Sequence, residues 1–450
     1  LVFFCILNFM GGDFSMTKNK SPYDIDGVPA LREALPLGLQ HILAMFVANI
    51  TPIMIVGGAL NLPAEEISIL IQASMLVAGL NTFIQTYRFG PVGARLPIVV
   101  GSNFTFVPLA ITIGNNYGYE AVLGAALVGG IFEACLGFFI QKVRRFFPSV
   151  VTGVIVLSIG LSLLPVGIAS LAGGFGATDF GSFENLAIGC FVLIVIILFK
   201  QFAKGIWSTG AIFIGTMIGF ILTLVMGKVD LSTVAQAGYL NLPMPFRYGF
   251  IFKSDAILAM MLLFVVSAVE TLGDMSSVTM GGADRELTDK ELSGGIVADG
   301  IGASLASIFG ILPTTSFSQN TGIITMTKVM SRYVVGLGAV ILMIGAFFPK
   351  VGALLTVIPP SVIGGSLVMI FAMISISGIN LLTKEKLTGR NAVIVAVSLG
   401  LGYGLGSVPD ALAHFPESLK LLFGGSGIVI SGGIAIILNI VLPHDEKIFE

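Results

Sequence analysis

The chain has 450 residues, of which 55% are hydrophobic and only 11% charged, where soluble domains carry about 25% charge. So little charge cannot cover the surface of two or three water-facing domains, and lipid must face much of the molecule. The net charge of -2 gives no bias toward nucleic acid, and Cys5, Cys135 and Cys190 stand apart without disulfide or zinc spacing, so no metal or cofactor is expected.

Residues 1–10 are apolar, but no Lys or Arg precedes them as in a signal peptide. The expectation is that Met16 starts the native chain, residues 1–15 being upstream sequence or a dispensable tail. Residues 1–30 then form an N-terminal tail. Beyond it come about fourteen runs, some of them short, apolar enough to cross roughly 30 Å of hydrocarbon. They lie near 36–60, 67–86, 98–114, 121–141, 149–169, 185–203, 207–227, 255–276, 293–310, 314–327, 333–349, 360–382, 390–408 and 423–442. The fold class is an all-α polytopic membrane protein. With the N-terminus in the cytoplasm, Lys228, Arg247, Lys253, Lys350 and Lys420 are the only basic residues outside, and the rest of the 23 fall inside. That asymmetry predicts two cytoplasmic termini in the cell membrane.

The second half echoes the first. Pro148-Ser-Val-Val-Thr-Gly153 returns as Pro360-Ser-Val-Ile-Gly-Gly365, and Leu123-Gly-Ala125 as Leu337-Gly-Ala339. Pro97 with Gly101-Ser-Asn-Phe104 is matched by Pro313 with Thr314-Thr-Ser-Phe317. Seven spans per copy is odd, so the second copy enters the membrane inverted, a common plan for secondary transporters. The third and tenth spans are short, follow a proline and carry polar residues. Irregular backbone at membrane depth is tolerated only inside protein or along a cavity, so these two broken spans mark the expected site.

Charges within spans are costly and point to function. In Val269-Glu-Thr-Leu-Gly-Asp274, Glu270 and Asp274 share a helix face at i, i+4 spacing. One carboxylate could accept hydrogen bonds from substrate N–H groups while the other takes part in proton coupling; a buried structural pair is the alternative. Thr315, Phe317, Ser318, Gln319 and Asn320 cluster in the tenth span, where amide side chains offer donor and acceptor to a ring edge or else glue helices together. Ser102, Asn103 and Phe104 occupy the matching third span, Phe104 suited to stacking on a planar ring or to packing alone. His41 stands in an apolar span, with a structural hydrogen bond to the binding region favoured over a proton role. Glu133 is also mid-span, with no role apparent.

At these residues the sequence resembles the nucleobase–ascorbate transporter family, which includes uracil and xanthine permeases. The resemblance covers residues 26–443. Its signature is matched by Gln319-Asn-Thr-Gly-Ile-Ile-Thr-Met-Thr-Lys328, with Gln40-His41 and the Glu270-to-Asp274 pattern fitting as well. The resemblance implies a core domain, 31–148 and 250–358, a gate domain, 149–230 and 359–443, and short strands in spans 3 and 10. It implies that Glu270 bonds the ring nitrogens of a base and Gln319 the opposite edge, with Phe104 and Phe317 alongside. Gly273-Asp274 and Gln319 look like the xanthine and urate branch, whereas Asn103 departs from the expected Ser or Thr. Also implied are a purine substrate, proton rather than sodium coupling, and a homodimer through the gate domain; Asp274 is the first candidate for the coupled group and Glu270 the second. A uracil permease or an anion transporter on the same plan are the alternatives; the acidic Glu270 argues against an anion. No nucleophile–base, nucleotide-loop or paired-histidine motif points to an enzyme.

Overall fold

The computed structural model describes residues 21, 23–143, 146–174, 176–416, 420, 423 and 427–443; the expected start at Met16 lies outside them. The first half runs through helices α1 (Leu31–Ala59) and α2 (Ala64–Tyr87), strand β1 (Val100–Ser102), then α3 (Val107–Tyr117), α4 (Tyr119–Val143), α5 (Ser149–Leu171), α6 (Phe183–Phe202) and α7 (Ala211–Val225). The second half repeats the pattern: α8 (Ser254–Ala283), α9 (Asp289–Ile308), strand β2 (Thr314–Ser316), α10 (Ser318–Thr327) and α11 (Arg332–Gly345). Then come α12 (Pro349–Thr356), α13 (Pro360–Leu382), α14 (Gly389–Ser407) and α15 (Gly427–Val441).

Local chemistry sets many of these boundaries. Ser182, Ser331 and Thr388 cap α6, α11 and α14 through side-chain oxygens, filling donors that a helix start leaves open. Thr288 and Glu291 form a reciprocal capping box at α9. Prolines 148 and 359 precede α5 and α13 and end the incoming extended chain. One element departs from the sequence reading. The run 333–349 stops at Gly345, and the chain bends by 84° into α12. Pro349 explains the break, because its ring forbids continuation of the preceding helix but suits a first turn.

Seven described helices are long and apolar enough to cross a membrane, and eight if the bent pair α11–α12 is one span. The chain is therefore a multi-span, predominantly helical membrane protein. The sequence reading of about fourteen spans counts more because it includes shorter and more polar segments. Helices α7 and α15 have 15 residues each, and α9 carries Asp289, Glu291 and Asp299.

Packing divides the helices into two groups. Helices α1 to α4 and α8 to α12 pack with both strands, while α5 to α7 pack with α13 to α15. Contacts recur in related pairs: α4 lies on α9 as α11 lies on α2, and α6 on α7 as α14 on α15. The α5–α13 contact is the most extensive between any two helices. Small residues let backbones approach: a Cβ on Gly300 would run into the Gly130 and Ala134 backbone of α4.

The two strands pair antiparallel, Val100 opposite Ser316, Gly101 opposite Thr315 and Ser102 opposite Thr314. An isolated two-stranded pair is marginal in water; this one is held by side chains from α1 and α2. Asn49 Oδ1 accepts from the Ser102 N–H at 2.8 Å, and Thr82 Oγ1 from the Val100 N–H at 2.9 Å. Asn81 Nδ2 donates to Thr314 Oγ1 at 2.8 Å. Every strand residue is buried, so these bonds replace water that cannot reach the backbone.

Candidate functional site

Each strand leads into a half-length helix, β1 through a tight turn at Phe104–Phe106 into α3 and β2 into α10. Beside the strands a cavity of about 200 Å³ opens between the two helix groups, a volume for one small molecule. Its polar wall comes from the strands, α8 and α10 and includes Ser102, Asn103, Glu270, Thr315, Ser318 and Gln319. The opposite wall is largely apolar, with Val156 and Ile159 of α5 and Met369 and Met373 of α13. Phe104 and Phe317 line it as well, both nearly buried. Phe104 stands edge-on to Phe371 of α13, ring centroids 5.0 Å apart at 89°.

Glu270 is the acidic group of this wall. Its Oε2 accepts from Asn103 Nδ2 at 3.1 Å and from Thr105 Oγ1 at 3.4 Å. Among the described residues its Oε1 has no protein donor, and the Gln319 amide likewise makes no bond to protein. Each thus offers a vacant hydrogen-bonding edge to the cavity. Charge-assisted bonds to a carboxylate are the stronger kind, so Glu270 suits a ligand that carries N–H donors.

Three expected site residues lie behind the cavity rather than in it. Asp274, one turn along α8, accepts from Ser316 Oγ at 2.6 Å and so ties α8 to β2. Asn320 turns away to α1, where Nδ2 donates to the His41 carbonyl at 2.9 Å and sits 3.1 Å from His41 Nδ1. Asn320 and His41 are 1% and 2% exposed, so neither touches a ligand in this arrangement; together they anchor the first turn of α10. Thr315 reaches both ways, lining the cavity while donating to Asp299 Oδ2 at 2.9 Å.

Asp299 escaped the sequence reading. It lies in Val297-Ala-Asp-Gly300 of α9, 1% exposed, and also accepts from Thr271 Oγ1 at 2.5 Å. Its charge inside an apolar run was the available signal. Asn49, Asn81 and Thr82 were missed as well. A polar row in α2, from Asn81 and Thr82 to Gln85 and Thr86, follows helical spacing and marks a face turned inward. Among the described residues no group of His, Cys, Asp and Glu is placed to hold a metal.

Comparison with known proteins follows the same lines. A family model described as the permease family matches residues 32–411. A xanthine permease of Escherichia coli is 37% identical, over 94% of this chain and 93% of its own. The uric acid permease PucK of Bacillus subtilis is also 37% identical, over 90% of this chain and 95% of its own. Among solved structures, the transmembrane domain of the cyanobacterial bicarbonate transporter BicA aligns over 92% of this chain and 98% of its own, with a TM-score of 0.54 at 14% identity. SLC26A9 aligns over 91% of this chain and 66% of its own, with a TM-score of 0.63 at 13% identity. At such identities these two carry the fold alone. With the family model spanning most of the chain and relatives this similar over nearly their whole lengths, the chain belongs to the permease family.

Proposed function

We propose that this permease imports a purine base, xanthine or uric acid, together with a proton by alternating access. The observation that carries the reading is that Glu270 Oε1 and the Gln319 amide, both without a protein partner among the described residues, share one polar wall of a cavity that Phe104 and Phe317 also line. A planar ring with N–H groups on one edge and mixed donors and acceptors on the other meets all three demands. Relatives named for xanthine and uric acid transport support the same substrate class. Ser102, Asn103 and Ser318 complete the polar wall, and Asn320 with His41 supports it from behind.

The architecture we infer is fourteen spans in two inverted repeats, with β1–α3 and β2–α10 as the broken pair. The recurrence of helix contacts in related pairs supports this plan. Residues 31–148 and 250–358 are then the core, and 149–230 and 359–443 the gate, which move against each other around the base. Both termini are assigned to the cytoplasm of the cell membrane from the basic loops. The cavity reaches Lys200, Ser208 and Met326, beside those loops, so the state is read as inward-facing. A homodimer through the gate helices is part of this proposal. A proton moving down 100 mV contributes about 2.3 kcal/mol, roughly fifty-fold accumulation.

The test is radiolabelled xanthine uptake in cells lacking their own purine permeases, with urate, guanine, hypoxanthine and uracil as competitors. Saturable uptake abolished by a protonophore supports the proposal. Uptake of uracil without xanthine would keep the architecture and overturn the purine assignment.

A further inference from the structure

Glu133 sits in the middle of α4, fully buried, and among the described residues neither of its carboxyl oxygens has a donor in good hydrogen-bond geometry. It faces Asp299 across the close α4–α9 contact, where the backbones meet at Gly130, Ala134 and Gly300. Asp299 in turn has one satisfied oxygen, Oδ2, and one buried oxygen, Oδ1, with no donor among the described residues. The other titratable group facing Glu133 is Glu270, from α8, and the polar neighbour there is Ser267. The Ser267 hydroxyl donates to Thr315 at 3.3 Å and also acts on the Glu133 carboxyl as its polar neighbour.

Three oxygens of the two acidic groups, Glu133 Oε1 and Oε2 and Asp299 Oδ1, are therefore unmatched, and one hydrogen held between the groups serves two of the three. Burying such oxygens unpaired costs about 1–3 kcal/mol each, more when charged, and two adjacent carboxylates in a dry site do not both ionise. A proton on one of the two groups supplies that donor without any further residue and reduces the mismatch.

We propose that Glu133 is a proton site of this transporter, its carboxyl hydrogen shared with Asp299, and that this proton travels with the substrate. A continuous chain of contacts joins the site to the cavity. Asp299 accepts from Thr271 and Thr315, and Ser316, next in β2, donates to Asp274. Loss of the proton to water converts the carboxylic acid to a carboxylate and sets two like charges face to face. Their repulsion acts on Asp299 and, through Thr315, on the strand that lines the cavity. Proton release and the position of β2 are thereby linked. The inference rests on the transport reading above, but on residues outside the substrate wall.

Purified protein in proteoliposomes tests it with Glu133→Gln, whose amide keeps a donor for Asp299 but cannot release a proton. Labelled-xanthine counterflow, which needs no net proton movement, is expected within about threefold of wild type. Proton-driven uptake should lose the roughly fifty-fold accumulation that one proton at 100 mV supports, and substrate-evoked pH change should vanish. A Glu133→Gln protein that still moves protons with substrate overturns the proposal. If that variant does not insert, Glu133→Asp keeps the carboxyl group and is expected to shift the pH profile of uphill uptake; an unshifted profile overturns it equally. If wild type exchanges urate or uracil but not xanthine, the purine choice fails while the same proton measurements with the exchanged base still decide on Glu133.

Discussion

Replacing Glu270 with Gln separates the charge of the candidate site from its shape. In the structure Oε2 is occupied by Asn103 at 3.1 Å and Thr105 at 3.4 Å, while Oε1 is left for a ligand. Glutamine can keep its carbonyl oxygen toward Asn103, so the wall stays satisfied and the fold should not suffer. Its NH₂ then points into the cavity, where the carboxylate presented an acceptor. A hydrogen bond to a charged group contributes about 1.5–3 kcal/mol, so losing it should weaken binding about 10- to 150-fold at 1.4 kcal/mol per tenfold. Purine binding to detergent-purified protein, by competition against labelled xanthine, measures that loss; thermal unfolding of the same samples measures stability. Affinity within threefold of wild type at unchanged melting temperature would refute the placement of substrate against Glu270. A large fall in melting temperature would instead mark Glu270 as a structural group.

Asn49→Ala removes the acceptor for the Ser102 N–H and leaves it buried without a partner, which should cost about 1–3 kcal/mol and lower the melting temperature. Because β1 leads directly into Asn103, transport affinity should fall too; an unaffected KM would contradict the positioning argument. Gly101→Ala introduces a Cβ that would meet Phe317 at 2.5 Å, Asn49 at 2.7 Å and Met45 at 2.9 Å. Overpacking of this kind costs about 1–3 kcal/mol, and because Phe317 lines the cavity, binding is expected to fall along with stability in a combined calorimetric and uptake assay. Asn320→Ala breaks the link from α10 to His41, so it should slow transport and raise KM through Gln319, one residue earlier. Normal kinetics with a reduced melting temperature would confine Asn320 to folding.

Composition and local rules made the membrane class legible in the sequence, and with it the segments that line the candidate site. Long apolar runs with basic loops specify a multi-span membrane chain, because hydrocarbon admits only backbone that satisfies its own hydrogen bonds. Prolines and glycines at matched positions located the two irregular spans, and the charges of Glu270 and Asp274 stood out because such groups are rare there. Which polar groups meet was not legible. Asn320, adjacent in sequence to Gln319, points to His41, whereas Asn103 and Glu270, 167 residues apart, bond directly within one wall of the cavity. Asn49, Thr82 and Asp299 look like isolated polar residues in apolar helices until the strands are docked against them. The bend before α12 and the facing of Glu133 on Asp299 depend likewise on packing between distant segments. Helix periodicity shows which residues share a face, but which face meets which neighbour is settled only by side-chain packing and hydrogen-bond geometry between helices.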